Sequence, residues 1–143
     1  MLGPGVWLVN NPPPRVAAES QFLRDIDWLA TRDQEVVSGL SELAKLGRSG
    51  SIDATQFSQR VATELVPRWR EAHERMLAHP LPAGSRYAPL QAATIDYVEA
   101  RAGMLQLLAT PFDAGDPAMR ARLDRQNAAV EAAAAAVEKV RKH

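Results

Sequence analysis

The chain has 143 residues, 46% hydrophobic and 24% charged, and its 17 basic side chains balance 17 acidic ones. That length suits one domain with a core of its own, and zero net charge argues against a strongly electrostatic partner such as nucleic acid or an acidic membrane face. With no cysteine, disulfides, thiol catalysis and cysteine-based zinc or iron–sulfur sites are excluded.

Alanine supplies 25 of the residues, and it is the best helix former because it loses no side-chain entropy on ordering. No β-branched run with alternating polarity stands out, so composition points to an all-α protein. Residues 1–14 read as an extended, proline-rich arm and residues 15–143 as a four-helix domain. In the arm, the apolar stretch Val6–Val9 is far shorter than the ~20 residues needed to span a bilayer. It also lacks the basic flank and longer apolar region of a secretory signal. Pro12, Pro13 and Pro14 favour stiff polyproline geometry.

The first helix runs from about Arg15 to Leu46. Phe22, Leu23, Ile26, Leu29, Val36, Val37, Leu40 and Leu43 recur at threes and fours along one stripe, which Asp33 interrupts. Gly47 is the expected left-handed residue that ends it. Asp53 and Gln56 form a capping-box signature for the second helix, whose stripe is Phe57, Val61, Leu65, Trp69, Ala72 and Met76. Pro67 lies inside that run, removes a backbone donor and crowds the carbonyl of Thr63, which predicts a kink or a break into two pieces. His79-Pro80-Leu81-Pro82 stops the segment.

The third stripe comprises Tyr87, Leu90, Thr94, Tyr97, Val98, Arg101, Leu105 and Leu108. Ser85 is its expected cap, and Pro89 is tolerable only in the first turn. Asp116-Pro117 opens the fourth helix with Asp at N-cap and Pro at N1. Met119, Leu123, Gln126, Val130, Ala133, Val137 and Val140 follow at helical spacing, with Lys139, Arg141 and Lys142 complementing the dipole at its end. Four amphipathic helices with short connections predict an antiparallel up-down-up-down bundle.

The seams carry little chemistry. A di-iron bundle site uses paired Glu-x-x-His motifs, but Arg70 and Met76 stand three residues before His73 and His79, and His143 ends the chain. No metal and no cofactor is therefore expected. Ser49 lies between helices without a nucleophile elbow, and no phosphate-binding glycine loop is present. Arg68-Trp69-Arg70 could stack on a base, yet Trp69 sits on the apolar stripe as a core anchor. Asp33, Thr94, Arg101 and Gln126 are the polar interruptions of otherwise apolar seams. Asp33 and Arg101 either converge on a polar ligand or pair with each other and fix helix register.

The segment Glu64-Leu65-Val66-Pro67-Arg68-Trp69-Arg70-Glu71-Ala72-His73-Glu74-Arg75-Met76 resembles helical extensions that follow the membrane core of some bacterial rhomboid-family intramembrane serine proteases. Tyr97-Val98-Glu99-Ala100-Arg101 and Gly115-Asp116-Pro117-Ala118 also look like that extension, and the likeness covers about Phe22 to Val140. The rhomboid catalytic Gly-x-Ser-Gly, its partner histidine and every transmembrane helix are missing, so no protease residue carries over. The resemblance implies a bacterial, soluble accessory part that acts near a membrane protein.

The sequence thus leads to a non-enzymatic helical interaction module, membrane-proximal, with a protein partner or self-association through a patch that includes Trp7, Trp28 or Phe112. The alternative is a small-molecule-binding bundle whose cavity is lined by Trp69, Tyr97, Arg101 and Asp33. A partner-binding chaperone or secretion-associated protein is a variant of the first reading.

Overall fold

A computed structural model describes residues 14–113 and 115–142. The first helix, α1, is Pro14–Arg48. Its inward row is Phe22, Leu29, Val36 and Leu43, all buried and spaced by seven. A seven-residue repeat keeps one stripe of a helix facing a neighbouring helix. The left-handed residue after α1 is Gly50, with φ 77°, and not the expected Gly47. The helix runs on to Arg48, and the chain then turns back as Gly50 N–H donates to Gly47 O and Ser51 N–H to Leu46 O.

The second rod covers residues 54–78 without a break. It consists of α2 (Ala54–Arg60), a π-helical segment (Val61–Leu65) and α3 (Val66–Ala78). The capping box is formed, with Gln56 N–H donating to Asp53 Oδ1 at 2.7 Å and Asp53 N–H to Gln56 Oε1 at 2.9 Å. Two features of the sequence account for the wide turn. Phe57, Val61, Leu65 and Trp69 recur at fours, and in a regular helix each step of four advances the face by about 40°. Three such steps would carry Trp69 away from the core. The π segment absorbs that drift, so Val61, Leu65 and Trp69 are all buried. It also makes room for Pro67, because Val66 N–H donates to Val61 O, five residues back, and the ring follows in the first turn of α3.

Helix α4 is Ala88–Ala109, with Pro89 in its first turn. Tyr87, not Ser85, occupies its N-cap position. Ser85 is buried and instead links α1 to the turn, donating to Glu19 Oε2 at 2.5 Å while its Oγ accepts Tyr87 N–H at 3.3 Å. Helix α5 is Pro117–Arg141, and Asp116 Oδ1 accepts Ala118 N–H at 3.0 Å as its cap.

Side-chain pairs give the order of packing. Asp25 meets His79 and Arg75, and Arg32 meets Glu71. Gly39 lies against Leu65, so pairing descends the second rod as it ascends α1. Trp69 bonds Val98, and Ser58 bonds Thr110, so α4 runs against the second rod in the same way. The result is an all-α, four-helix protein without strands among the described residues.

The core is not shared equally. Its buried cluster draws on α1, the second rod and α4, through residues such as Phe22, Val36, Trp69, Met76, Val98 and Leu105. No α5 side chain belongs to that cluster. Helix α5 packs along α4 and buries Val130 there, and Gln126 Nε2 donates to Ala100 O at 2.8 Å. Since α5 depends on local contacts, its cap matters. Asp116→Ala is expected to cost about 1 kcal/mol, seen as faster amide exchange over residues 118–123 with little change in the α1 core.

Candidate functional site

Because α5 leans on α4, a groove stays open between α1 and α5. It measures about 230 Å³ and is walled by Ile26, Leu29 and Ala30 from α1 and Ala134 and Val137 from α5. Asp33, Thr94 and Tyr97 supply polar groups on its floor, and Glu138 and Arg141 flank its α5 side.

Asp33 and Tyr97 meet because α1 and α4 lie side by side. Tyr97 OH donates to Asp33 Oδ1 at 2.6 Å, and Arg101 Nη2 donates to Tyr97 OH at 3.0 Å. Arg101 Nε lies 3.9 Å from Asp33 Oδ1. Burial pushes the Tyr97 phenol above its ordinary range, and the hydrogen bond to Asp33 adds to that, because a phenolate beside a carboxylate is disfavoured. The three residues therefore form a linked polar set with tyrosine as donor to a carboxylate.

Of the four residues expected around one cavity, Asp33 and Tyr97 line this groove and Arg101 supports them. Trp69 does not reach it. The indole is buried behind Tyr97, edge-on to that ring at 6.3 Å, and its Nε1–H donates to Val98 O at 2.8 Å. The expected aromatic patch is likewise redistributed. Trp28 is half-buried between two guanidiniums, Arg75 at 4.4 Å and Arg32 at 5.0 Å from its ring centre, a cation–π arrangement that satisfies its face. Phe112 is half-buried and packs edge-on against Phe57 at 6.3 Å. Trp7, and the arm over residues 1–13, lie outside the described residues.

The exposed apolar surface is elsewhere. Leu77 on α3 is 51% exposed, and Val16, Leu23 and Val37 on α1 are 41–48% exposed, with Ala30 exposed between these α1 positions. These positions are spaced by seven, as is Ala44 beyond them, and each lies one residue after a core residue or its equivalent. One residue turns a helix by about 100°, which is why Leu23 and Val37 do not join Phe22 and Val36 in the core. Of this row, Ala30 also lines the α1/α5 groove.

A second polar cluster sits where α1 meets the end of α3. Asp25 is buried, and its Oδ1 accepts Gln21 Nε2 and Arg75 Nε, both at 2.9 Å, while Oδ2 lies 3.0 Å from His79 Nδ1. Burial alone would raise this carboxyl. The hydrogen bonds from Arg75, Gln21 and His79, with the charge of His79, outweigh it and hold Asp25 below the usual carboxylate range. The signal for Asp25 was its spacing, three after Phe22 and four before Leu29. Among the described residues no group of three or more histidines and carboxylates could hold a metal ion, and no helix is long and apolar enough to cross a membrane.

Comparison of the chain with protein families, curated proteins and solved structures returns no match. Within the segment Glu64–Met76, Leu65, Trp69, Ala72 and Met76 are core residues.

Proposed function

We propose that this chain is a non-catalytic helical interaction module whose working surface is the outer row of α1 together with the α1/α5 groove. The observation that carries this reading is the row Val16, Leu23, Ala30 and Val37, apolar, exposed and in helical register. Single exposed apolar residues need no explanation, but several in one register, about 10.5 Å apart along the helix and beside an apolar groove, suit a docked helix. The polar residues next to it, Ser20, Asp27, Gln34 and Ser41, are short and carry one charge, unlike the lysine- and glutamate-rich face that keeps a free helix solvated. The resemblance of Glu64–Met76 to rhomboid extensions supports a place for this module beside a membrane protein.

The test is photo-crosslinking in cells, with benzoylphenylalanine installed at Leu23 or Val37, or at Thr31 on the outer face as a control. Adducts from Leu23 and Val37 but none from Thr31 are expected. No adducts, or equal adducts from all three, would overturn the reading.

A second reading, a small-molecule site, is supported by the Asp33–Tyr97 pair on the groove floor. It requires a ligand donating to Asp33 with an apolar body against Leu29 and Val137. That reading predicts that Asp33→Asn abolishes ligand retention while leaving the photo-adduct pattern unchanged.

A further inference from the structure

We infer that the segment docked on the outer row of α1 is an amphipathic helix of another protein that carries a lysine, whose side chain fills the α1/α5 groove with its ammonium group on Asp33. This rests on the interaction-module reading and adds the chemistry of the partner. At about 230 Å³ the groove takes a side chain and not a helix. Its walls are apolar and its floor is polar. A lysine has the same division, a four-carbon stem that packs on apolar surface and a charged head.

The floor selects for a donor. Tyr97 OH gives its hydrogen to Asp33 Oδ1 at 2.6 Å, and Thr94 Oγ1 gives its own to Leu90 O at 2.7 Å. Both hydroxyl hydrogens are committed, so these two residues offer the groove only lone pairs. Asp33 Oδ2 accepts no hydrogen bond from the described residues, and the Asp33 side chain is 29% exposed. An ammonium group has three donors and no acceptor, which matches this floor. A carboxylate or phosphate would set acceptor against acceptor.

The surrounding charge agrees. Asp33 and Glu138 are matched by Arg101 and Arg141, at 3.9 and 3.5 Å, and Lys142 follows at the tip of α5. Beside them, Asp27 is exposed next to the row, and Glu131 is exposed on the same side of α5 as Ala134 and Glu138. Arg24 and Arg32 of α1 are turned away. Arg24 donates to Gln21, and Arg32 to Glu35 and Glu71 over the Trp28 ring. Acidic side chains therefore outnumber basic ones around the row and groove, which favours a basic partner and opposes an anionic membrane. Ala30, which belongs to the row and lines the groove, provides the way in. Its methyl group leaves a saddle between Leu23 and Val37, and a helix lying on those two side chains sends one residue down through it.

The test is binding of synthetic helical peptides to the full purified chain, read by fluorescence anisotropy. Each peptide carries leucine seven residues to either side of a central lysine, norleucine or glutamate, a pattern that reads alike in both directions. The lysine peptide is expected to bind about tenfold tighter than the norleucine peptide, the effect of one hydrogen bond to a charged group, and the glutamate peptide to bind weakest. Asp33→Asn should erase the difference between lysine and norleucine, and Glu74→Gln on α3 should preserve it. Ala30→Leu, which fills the saddle at an exposed position, should abolish binding of the lysine peptide with helicity unchanged.

Equal affinity for lysine and norleucine, or a preference that survives Asp33→Asn, would overturn the inference. n-Butylammonium supplies the same head and stem without a helix. Its displacing the peptide at equal concentration would assign the groove to a free amine, and sedimentation of the chain with anionic phospholipid vesicles would assign the row to lipid; either result overturns the docked lysine. Failure of the module reading is distinguishable, because photo-adducts from Leu23 and Val37 in cells, with no lysine preference among the peptides, remove only the chemistry of the partner.

Discussion

Trp69→Ala is expected to destabilise the fold by about 4 kcal/mol, the cost of removing a large buried ring and leaving the space unfilled. Whole domains are stable by about 5–15 kcal/mol, so the variant should unfold at a much lower denaturant concentration. The indole is buried in the core between the second rod and α4. It follows the π segment, bonds the α4 backbone at Val98 and supports Tyr97 beneath the groove. Trp69→Phe keeps a buried ring, removing the indole N–H and only part of the packed volume. The Val98 carbonyl lies within α4 and keeps its helical partner, so losing the indole N–H should cost only about 1 kcal/mol. Urea titrations followed by circular dichroism at 222 nm check both values, and equal losses for Ala and Phe would contradict this account of the core.

The second large effect is expected at Asp25. Asp25→Ala removes the shared acceptor of Gln21, Arg75 and His79. Breaking a buried ion pair costs about 3–5 kcal/mol when the remaining charge is trapped. Here Arg75 and His79 are partly exposed and can rehydrate, so about 2–3 kcal/mol is the expected loss. The pH dependence follows from the lowered carboxyl of Asp25. In the window between its folded value and the ordinary ~3.9, the unfolded chain binds more protons, so stability rises with pH. The contribution is therefore complete above about pH 4 and is lost as pH falls through the folded value. Stability curves of wild type and Asp25→Asn should converge toward low pH. A constant gap from pH 6 down to pH 2 would show that Asp25 acts by shape alone.

Much of the architecture was legible because it rests on local rules. Asp53 with Gln56 and Asp116 with Pro117 mark helix starts that the structure retains. What escaped the sequence depends on rotation about a helix axis and on which helices touch. Leu23 and Val37 fit a loose stripe of threes and fours, and only the strict seven-residue rows separate the core face of α1 from its outer face. Trp28 carries the same apolar surface as Trp69, but Arg32 of α1 and Arg75 of α3 both lie over its ring, and spacing along one helix cannot reveal that. The convergence of Asp33, Tyr97 and Arg101 was readable as an alternative, since each interrupts a seam. Its height required α1 and α4 to be set side by side. That α5 leaves the main core to the other three was hidden for a related reason. Its stripe, Met119 to Val140, has ideal spacing, and nothing in the spacing tells how many neighbours it meets.

The wide turn at Val61–Leu65 sets the terms on which this rod can change length over generations. Removing one codon elsewhere in the rod would rotate every later side chain by about 100° and turn Trp69, Ala72 and Met76 away from their neighbours. Removing one within the turn would convert the fours of Phe57, Val61, Leu65 and Trp69 into an ordinary four-three-four pattern, with both flanks still facing inward. Pro67 opposes that shortening, because a regular helix would drive its ring into the carbonyl four residues earlier. The extra residue and the proline thus form a matched pair, each tolerable in the presence of the other and inherited most safely together.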